Sequence, residues 1–203
     1  ILLFFSFFNF DNSIIAYLLI VLCIISLIKN IKKTNLINFL LNKDIIILFI
    51  FSFIISIDLI SNLQLGWDGH FWYFKALNYY ENLSFFNLEN TINNNYPHLG
   101  GIIWGLFWKI SFLEYEYFGR IAYIFIYVVS ILLIVEKVSN NFNVKLISSI
   151  VFFMLTYDID LFRGYQTYLL FSIIVIIINL LHKIDLKKIN YYQLTFIISS
   201  TYL

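Results

Sequence analysis

Proline, cysteine and charge are what this chain has least of. It contains one proline, one cysteine and seven glycines in 203 residues. The lone Cys23 lies in an apolar run and excludes an intramolecular disulfide framework. No apolar run carries a proline, a glycine break or a central charge, which argues against the interrupted helices of transporters. Charged residues make up 12% of the chain and hydrophobic residues 61%, against about 25% and about 45–50% in a soluble domain. That balance excludes an ordinary soluble fold. A net charge of +1 leaves no basic footprint, so nucleic acid is not an expected partner.

What is present is a series of long apolar stretches, at 1–8, 14–28, 45–60, 121–135, 146–157, 168–181 and 191–203. The stretches are continuous rather than alternating, so they read as helices and not as a lipid-facing barrel. Polar residues at their ends extend them towards the ~20 residues a spanning helix needs. The expected fold is therefore all-α, a polytopic transmembrane helical protein of about 5 to 7 spans. It reads as a single transmembrane domain over 1–203. The chain starts at Ile1 and both ends fall within apolar runs, so it is expected to be a fragment of a longer protein. No secretory signal is expected at 1–8.

Lysine and arginine fix an orientation. If the 29–43 loop is cytoplasmic, alternation also puts 136–145 and 182–188 inside, and nine of the basic residues fall there. The other side holds only Lys75, Lys109, Arg120 and Arg163, spread over longer segments. The positive-inside rule thus predicts an external loop at 61–118. In that loop Phe71, Phe74 and Leu77/Asn78 fall roughly on one helical face, with Lys75 and Glu81 elsewhere. This predicts a helix over 69–83 lying in the membrane interface. Trp104, Phe107 and Trp108 follow at helical spacing and predict a second interfacial or re-entrant helix. With Trp67 and Trp72 they read as an interfacial aromatic belt.

The loop opens with "GWDGH" around Asp68, continues to "YPHLGG" at 96–101, and is followed by "FGR" at Arg120 and "RGYQTYLL" at 163–170. This order resembles the GT-C-fold integral-membrane glycosyltransferases, in particular the bacterial branch related to the dolichyl-phosphate-mannose-protein mannosyltransferases. The resemblance covers roughly 44–182. It implies an inverting transfer of a sugar from a polyprenyl-phosphate carrier to a glycan, lipid or protein acceptor on the external face of the bacterial inner membrane. Membrane lipids and the lipid-linked donor are the implied partners, and no cofactor is implied. One position departs from the pattern: relatives often carry a second acid where this chain has Gln166 and Thr167.

Such chemistry needs a carboxylate to take the acceptor's proton as it attacks the anomeric carbon. It also needs cations to stabilise the departing phosphate. Asp68 is the candidate base. His98, Arg163 and Lys75 are candidates for the phosphate, and Asp158 or Asp160 could stand in for the absent second acid. The histidines and acids show no zinc spacing, and no metal is expected.

Plainer readings exist for several of these. Asp68 could cap the following helix, His98 could cap the aromatic helix, and His70 reads as structural. Asp58 reads as an interfacial residue within reach of water, and Arg120 as a helix-end anchor paired with Glu114 or Glu116. The competing functions are a lipid-linked-sugar transporter or flippase and a non-catalytic membrane scaffold.

Overall fold

The computed structural model describes residues 42–82, 99–111, 113–158, 161 and 163–183, with scattered positions between 17 and 38. Among the described residues the chain forms helices and turns and no strand. The six continuous helices among them are α1 (Lys43–Ser61), α2 (Trp67–Asn82), α3 (Leu99–Ile110), α4 (Tyr117–Val138), α5 (Phe142–Thr156) and α6 (Thr167–Lys183).

Two of the starts are set by asparagine. Asn42 accepts from the Asp44 N–H at 2.9 Å ahead of α1, and Asn141 accepts from the Asn143 N–H at 3.0 Å ahead of α5. Each satisfies a backbone donor that the first helical turn leaves open. Helices α1 and α4 are long and apolar enough to cross a membrane. Helix α5 has 15 residues, about 22 Å at ~1.5 Å per residue, and so falls short of a ~30 Å hydrocarbon core on its own.

Helix α4 is central and packs on α1, α3, α5 and α6, while α2 lies against α3. The main core joins Ile55 and Leu59 of α1 to Ile124, Tyr127, Val128 and Ile131 of α4, with Phe153 of α5 and Leu161. The opposite face of α1 is equally apolar and is left open: Phe49, Phe53, Ile57 and Ile60 are exposed, Phe53 by 69%. On α5, Ile147, Met154 and Leu155 are exposed in the same way. Apolar surface of this extent fits a helix facing lipid or another apolar segment.

Contacts at the helix ends give the directions. Lys145 Nζ meets Asp44 Oδ1 at 2.9 Å, joining the starts of α5 and α1. At their far ends the Tyr157 hydroxyl donates to the Asp58 carboxylate. Arg120, one turn into α4, donates to the Leu63 carbonyl at 3.0 Å, just beyond the end of α1. The Tyr168 hydroxyl, at the start of α6, donates to the Thr156 carbonyl at the end of α5 at 3.0 Å. Helices α1 and α5 therefore run one way and α4 and α6 the other. The end of α1 and the starts of α4 and α6 gather at one end of the bundle.

The tryptophans correct the expected aromatic belt. Trp72, Trp104 and Trp108 are buried and only Trp67 is exposed. Trp104 and Trp72 form a second core with Ala76, Tyr123 and Leu169. The inward face of α2 also differs from the expected one: it carries Trp72, Lys75, Ala76 and Tyr79, whereas Phe74 is exposed. The cause lies on α3. A β-carbon at Gly101 would sit 2.7 Å from Lys75 Cβ, and one at Gly105 would sit 2.5 Å from the Ala76 carbonyl oxygen. The two glycines let α2 approach α3 along its 75–76 face, so backbone proximity outweighs the apolar count of the other face.

Candidate functional site

Asp68 is the second residue of α2 and is half-buried. It does not hold the capping position, which precedes Trp67 and belongs to Gly66. An acid in a first helical turn faces the open N–H groups and the positive end of the helix dipole. The Gly66 N–H is itself donated to the Arg163 carbonyl at 3.0 Å.

The turn bearing Arg163 lies directly on this first turn of α2. A β-carbon at Gly69 would meet the Arg163 carbonyl oxygen at 2.0 Å. Gly164 takes a left-handed φ of +82°, and a β-carbon there would lie 2.8 Å from the Trp104 ring and 3.2 Å from Gly69 Cα. Only glycine meets that backbone requirement and that space together. Asp68 and Arg163, distant in sequence, are thus brought onto adjoining turns.

Gln166 closes the arrangement. Its Nε2 donates to the Tyr123 hydroxyl at 3.0 Å and to the Gly164 carbonyl at 3.2 Å. The Tyr123 hydroxyl in turn donates to the Gly100 carbonyl at 2.7 Å. The Gln166 amide is a structural bridge between the Arg163 turn, α4 and the start of α3. The first turns of α2, α3 and α6 all border this turn. A helix N-terminus leaves N–H groups open and carries the positive end of the helix dipole.

Behind the turn sits a buried ion pair. The Arg120 guanidinium is fully buried and donates from Nε to Glu116 Oε2 at 3.1 Å, and from Nη2 to Glu116 Oε1 and to the Leu63 carbonyl. The Glu116 carbonyl accepts from Trp104 Nε1 at 3.0 Å, and the guanidinium lies over the Trp104 ring at 5.8 Å. Of the two partners expected for Arg120, the structure selects Glu116. Burial raises the Glu116 carboxyl above the ordinary glutamate range, although the Arg120 charge pulls it down.

Lys75 is on the same face of α2 as Asp68, two turns further on. It is buried against α3, with Nζ 5.5 Å from the Trp72 ring centroid. Burial lowers its ammonium to about 8. Asp158 is exposed just beyond α5, and its carbonyl accepts from the Leu161 N–H at 3.1 Å. Nearby, burial and the Asp58 carboxylate raise the Tyr157 phenol. His98 and Asp160 lie outside the described residues. Among the described residues, no group of three or more His, Cys, Asp or Glu comes together as a metal site would need.

The sequence reading named Asp68, Arg163, Lys75 and Asp158 but missed the buried role of Arg120 and the bridging role of Gln166. A signal for the first was present: Glu116 and Arg120 stand four apart at the head of an apolar span, where an unpaired cation is costly. Nothing local marks the second. A separate groove of about 440 Å³ opens at the far ends of α2 and α3, lined by Tyr17, Tyr80, Glu81, Lys109, Leu113 and Glu114. No family model matches the chain, nor does any curated protein or solved structure.

Proposed function

We propose that the chain carries the reaction centre of an integral-membrane glycosyltransferase that moves a sugar from a polyprenyl-phosphate carrier to an acceptor on the external face of a bacterial inner membrane. The observation that carries this reading is the seat of the Arg163 turn on the first turn of α2, next to Asp68. A carboxylate and a cation are needed at the two ends of the breaking and forming bonds, and these are the residue types on the adjoining turns. The three bordering helix N-termini add to the stabilisation of an anion.

In the proposed step Asp68 takes the proton of the acceptor nucleophile as it attacks the anomeric carbon. The bond from that carbon to the carrier's phosphate oxygen breaks, and its electron pair leaves with the phosphate. Arg163 meets the charge gained there. The donor is already activated, so no acid has to protonate a sugar oxygen. A cluster at one end of a helical bundle with lipid-facing flanks suits a lipid phosphate, which lies at headgroup depth while its polyprenyl tail stays in hydrocarbon.

The test is Asp68→Asn in the full-length protein, assayed with radiolabelled polyprenyl-phosphate hexoses in membranes. Asparagine keeps the shape but cannot accept the proton. Transfer should fall by about 10²–10⁴-fold with expression and membrane insertion intact. Undiminished transfer by the Asn variant would overturn the assignment.

A further inference from the structure

We propose that Arg120 is a positioning residue that sets the placement of Asp68 relative to Arg163. This rests on the glycosyltransferase reading only for its catalytic consequence. One guanidinium reaches both halves of the candidate site. Its Nη2 holds the Leu63 carbonyl at 3.0 Å, and Leu63 belongs to the short link, residues 62–66, that leads from α1 into the turn bearing Asp68. Through Glu116 it fixes the other half. The Glu116 carbonyl takes the Trp104 indole N–H at 3.0 Å, and the Trp104 ring supports Gly164 beside Arg163.

The link 62–66 is held by few described hydrogen bonds, one of them from the Asn62 side chain to the Asp58 carbonyl at 3.1 Å. Its described backbone bonds are the Asn62 N–H to the Leu59 carbonyl at 3.1 Å and the Gly66 N–H to the Arg163 carbonyl at 3.0 Å. Between those two points, the Arg120 bond is the described hydrogen bond that joins it to the bundle, beside the apolar packing of Leu65 on the Trp104 core. Arginine suits the position because its planar fork presents several donors in fixed directions and can meet a carboxylate and a carbonyl together. Lysine keeps the charge but concentrates it at one nitrogen on a flexible stem, and cannot reproduce both fixed contacts with that geometry. Full burial of Arg120, with Glu116 paired to it, means that the arrangement is not a solvated helix end.

The experiment compares wild type with Arg120→Lys in the full-length protein reconstituted in lipid nanodiscs. Hydrogen–deuterium exchange is followed by peptide, and transfer kinetics are measured with radiolabelled polyprenyl-phosphate hexoses. A positioning role predicts an exchange rate raised about tenfold in 62–70 and 163–166, with α5 unchanged, as expected for local rather than global opening. It also predicts kcat lowered by about 10–100-fold, the cost of a reacting group displaced by about 1 Å, with a much smaller change in KM. A uniform rise in exchange over all helices would reduce Arg120 to a stabilising residue and overturn the proposal. Unchanged exchange in 62–70, or localised exchange with kcat intact, would overturn it as well.

If Arg120→Lys does not fold, Arg120→Leu with Glu116→Leu removes both buried charges without leaving one unpaired, and the same local exchange is expected. The two readings fail separately. Wild type that transfers no sugar sinks the glycosyltransferase, whereas the exchange pattern needs no substrate and decides whether Arg120 holds the link.

Discussion

A β-carbon on Gly69 would stand 2.0 Å from the carbonyl oxygen of Arg163, so the residue after the candidate base is held against the turn of the candidate phosphate ligand by backbone alone. Gly69→Ala should force that turn away, because a carbonyl in a packed turn has no side-chain freedom with which to yield. The expected result is a stability loss of about 1–3 kcal/mol by thermal unfolding in detergent, with transfer reduced further than stability accounts for. Gly100→Ala meets the end of the Gln166 side chain at 1.5 Å. That amide can swing aside at the expense of its bond to Tyr123, so the smaller loss belongs to Gly100→Ala. The reverse order would show that the Arg163 turn is not held in this way.

The two ends of the bundle should face opposite sides of a membrane. Tyr115 is exposed before α4, and Asn140 is exposed between α4 and α5. In a Cys23→Ser background, Tyr115→Cys should react with a membrane-impermeant thiol reagent in intact cells. Asn140→Cys should react only after the cells are opened, because the lysine-rich loops are placed inside. Labelling of Asn140→Cys alone in intact cells would invert the orientation and move Asp68 to the cytoplasmic side.

Lys75 gives a pH-dependent prediction. Its folded-state value is lowered to about 8 from the ordinary 10.5, so the unfolded chain binds the proton more tightly than the folded one. The charged side chain therefore destabilises the fold fully below about pH 8. That cost is relieved as pH rises through the window between the two values. Lys75→Met should be more stable than wild type at pH 7, by about 1–3 kcal/mol. The difference should shrink as the pH approaches 10.5. A constant difference across that range would mean that Lys75 folds with its ordinary proton affinity.

The two ion pairs among the described residues should differ in worth. The Lys145–Asp44 pair has an aspartate side chain half exposed to solvent, and Asp44→Asn should cost no more than about 1 kcal/mol. Glu116→Gln leaves the fully buried Arg120 guanidinium without its counter-charge. The expected loss there is on the order of 3 kcal/mol. Thermal unfolding of the two variants in one detergent compares them directly, and equal losses would mean that the Arg120 site is hydrated.

The sequence by itself determined the all-helical character of the described residues and two helices apolar enough to span. The runs at 146–157 and 168–181 fall in shorter helices, and those at 1–8 and 191–203 lie outside the described residues. The runs at 45–60 and 121–135 lie within α1 and α4, because backbone bonding in hydrocarbon leaves a long apolar run little choice but helix. It also ordered Asp68, Arg120 and Arg163 so that a chain reversing direction at each span brings them to one end. What it could not determine was which face of a helix turns inward. Helix α2 carries aromatic residues all round, and its inward face was decided by Gly101 and Gly105 of another helix, whose missing side chains admit Lys75 and Ala76. Trp104 and Trp108 look alike in sequence at an interface or in a core, and tertiary packing alone made them core. Gln166 shows the same limit at the candidate site. Its residue type reads as a missing acid, and only the meeting of α3, α4 and the Arg163 turn makes it a bridge to Tyr123. Apolar periodicity is local to the chain, whereas close approach depends on the side chains of two segments at once, and the second is supplied only by the fold.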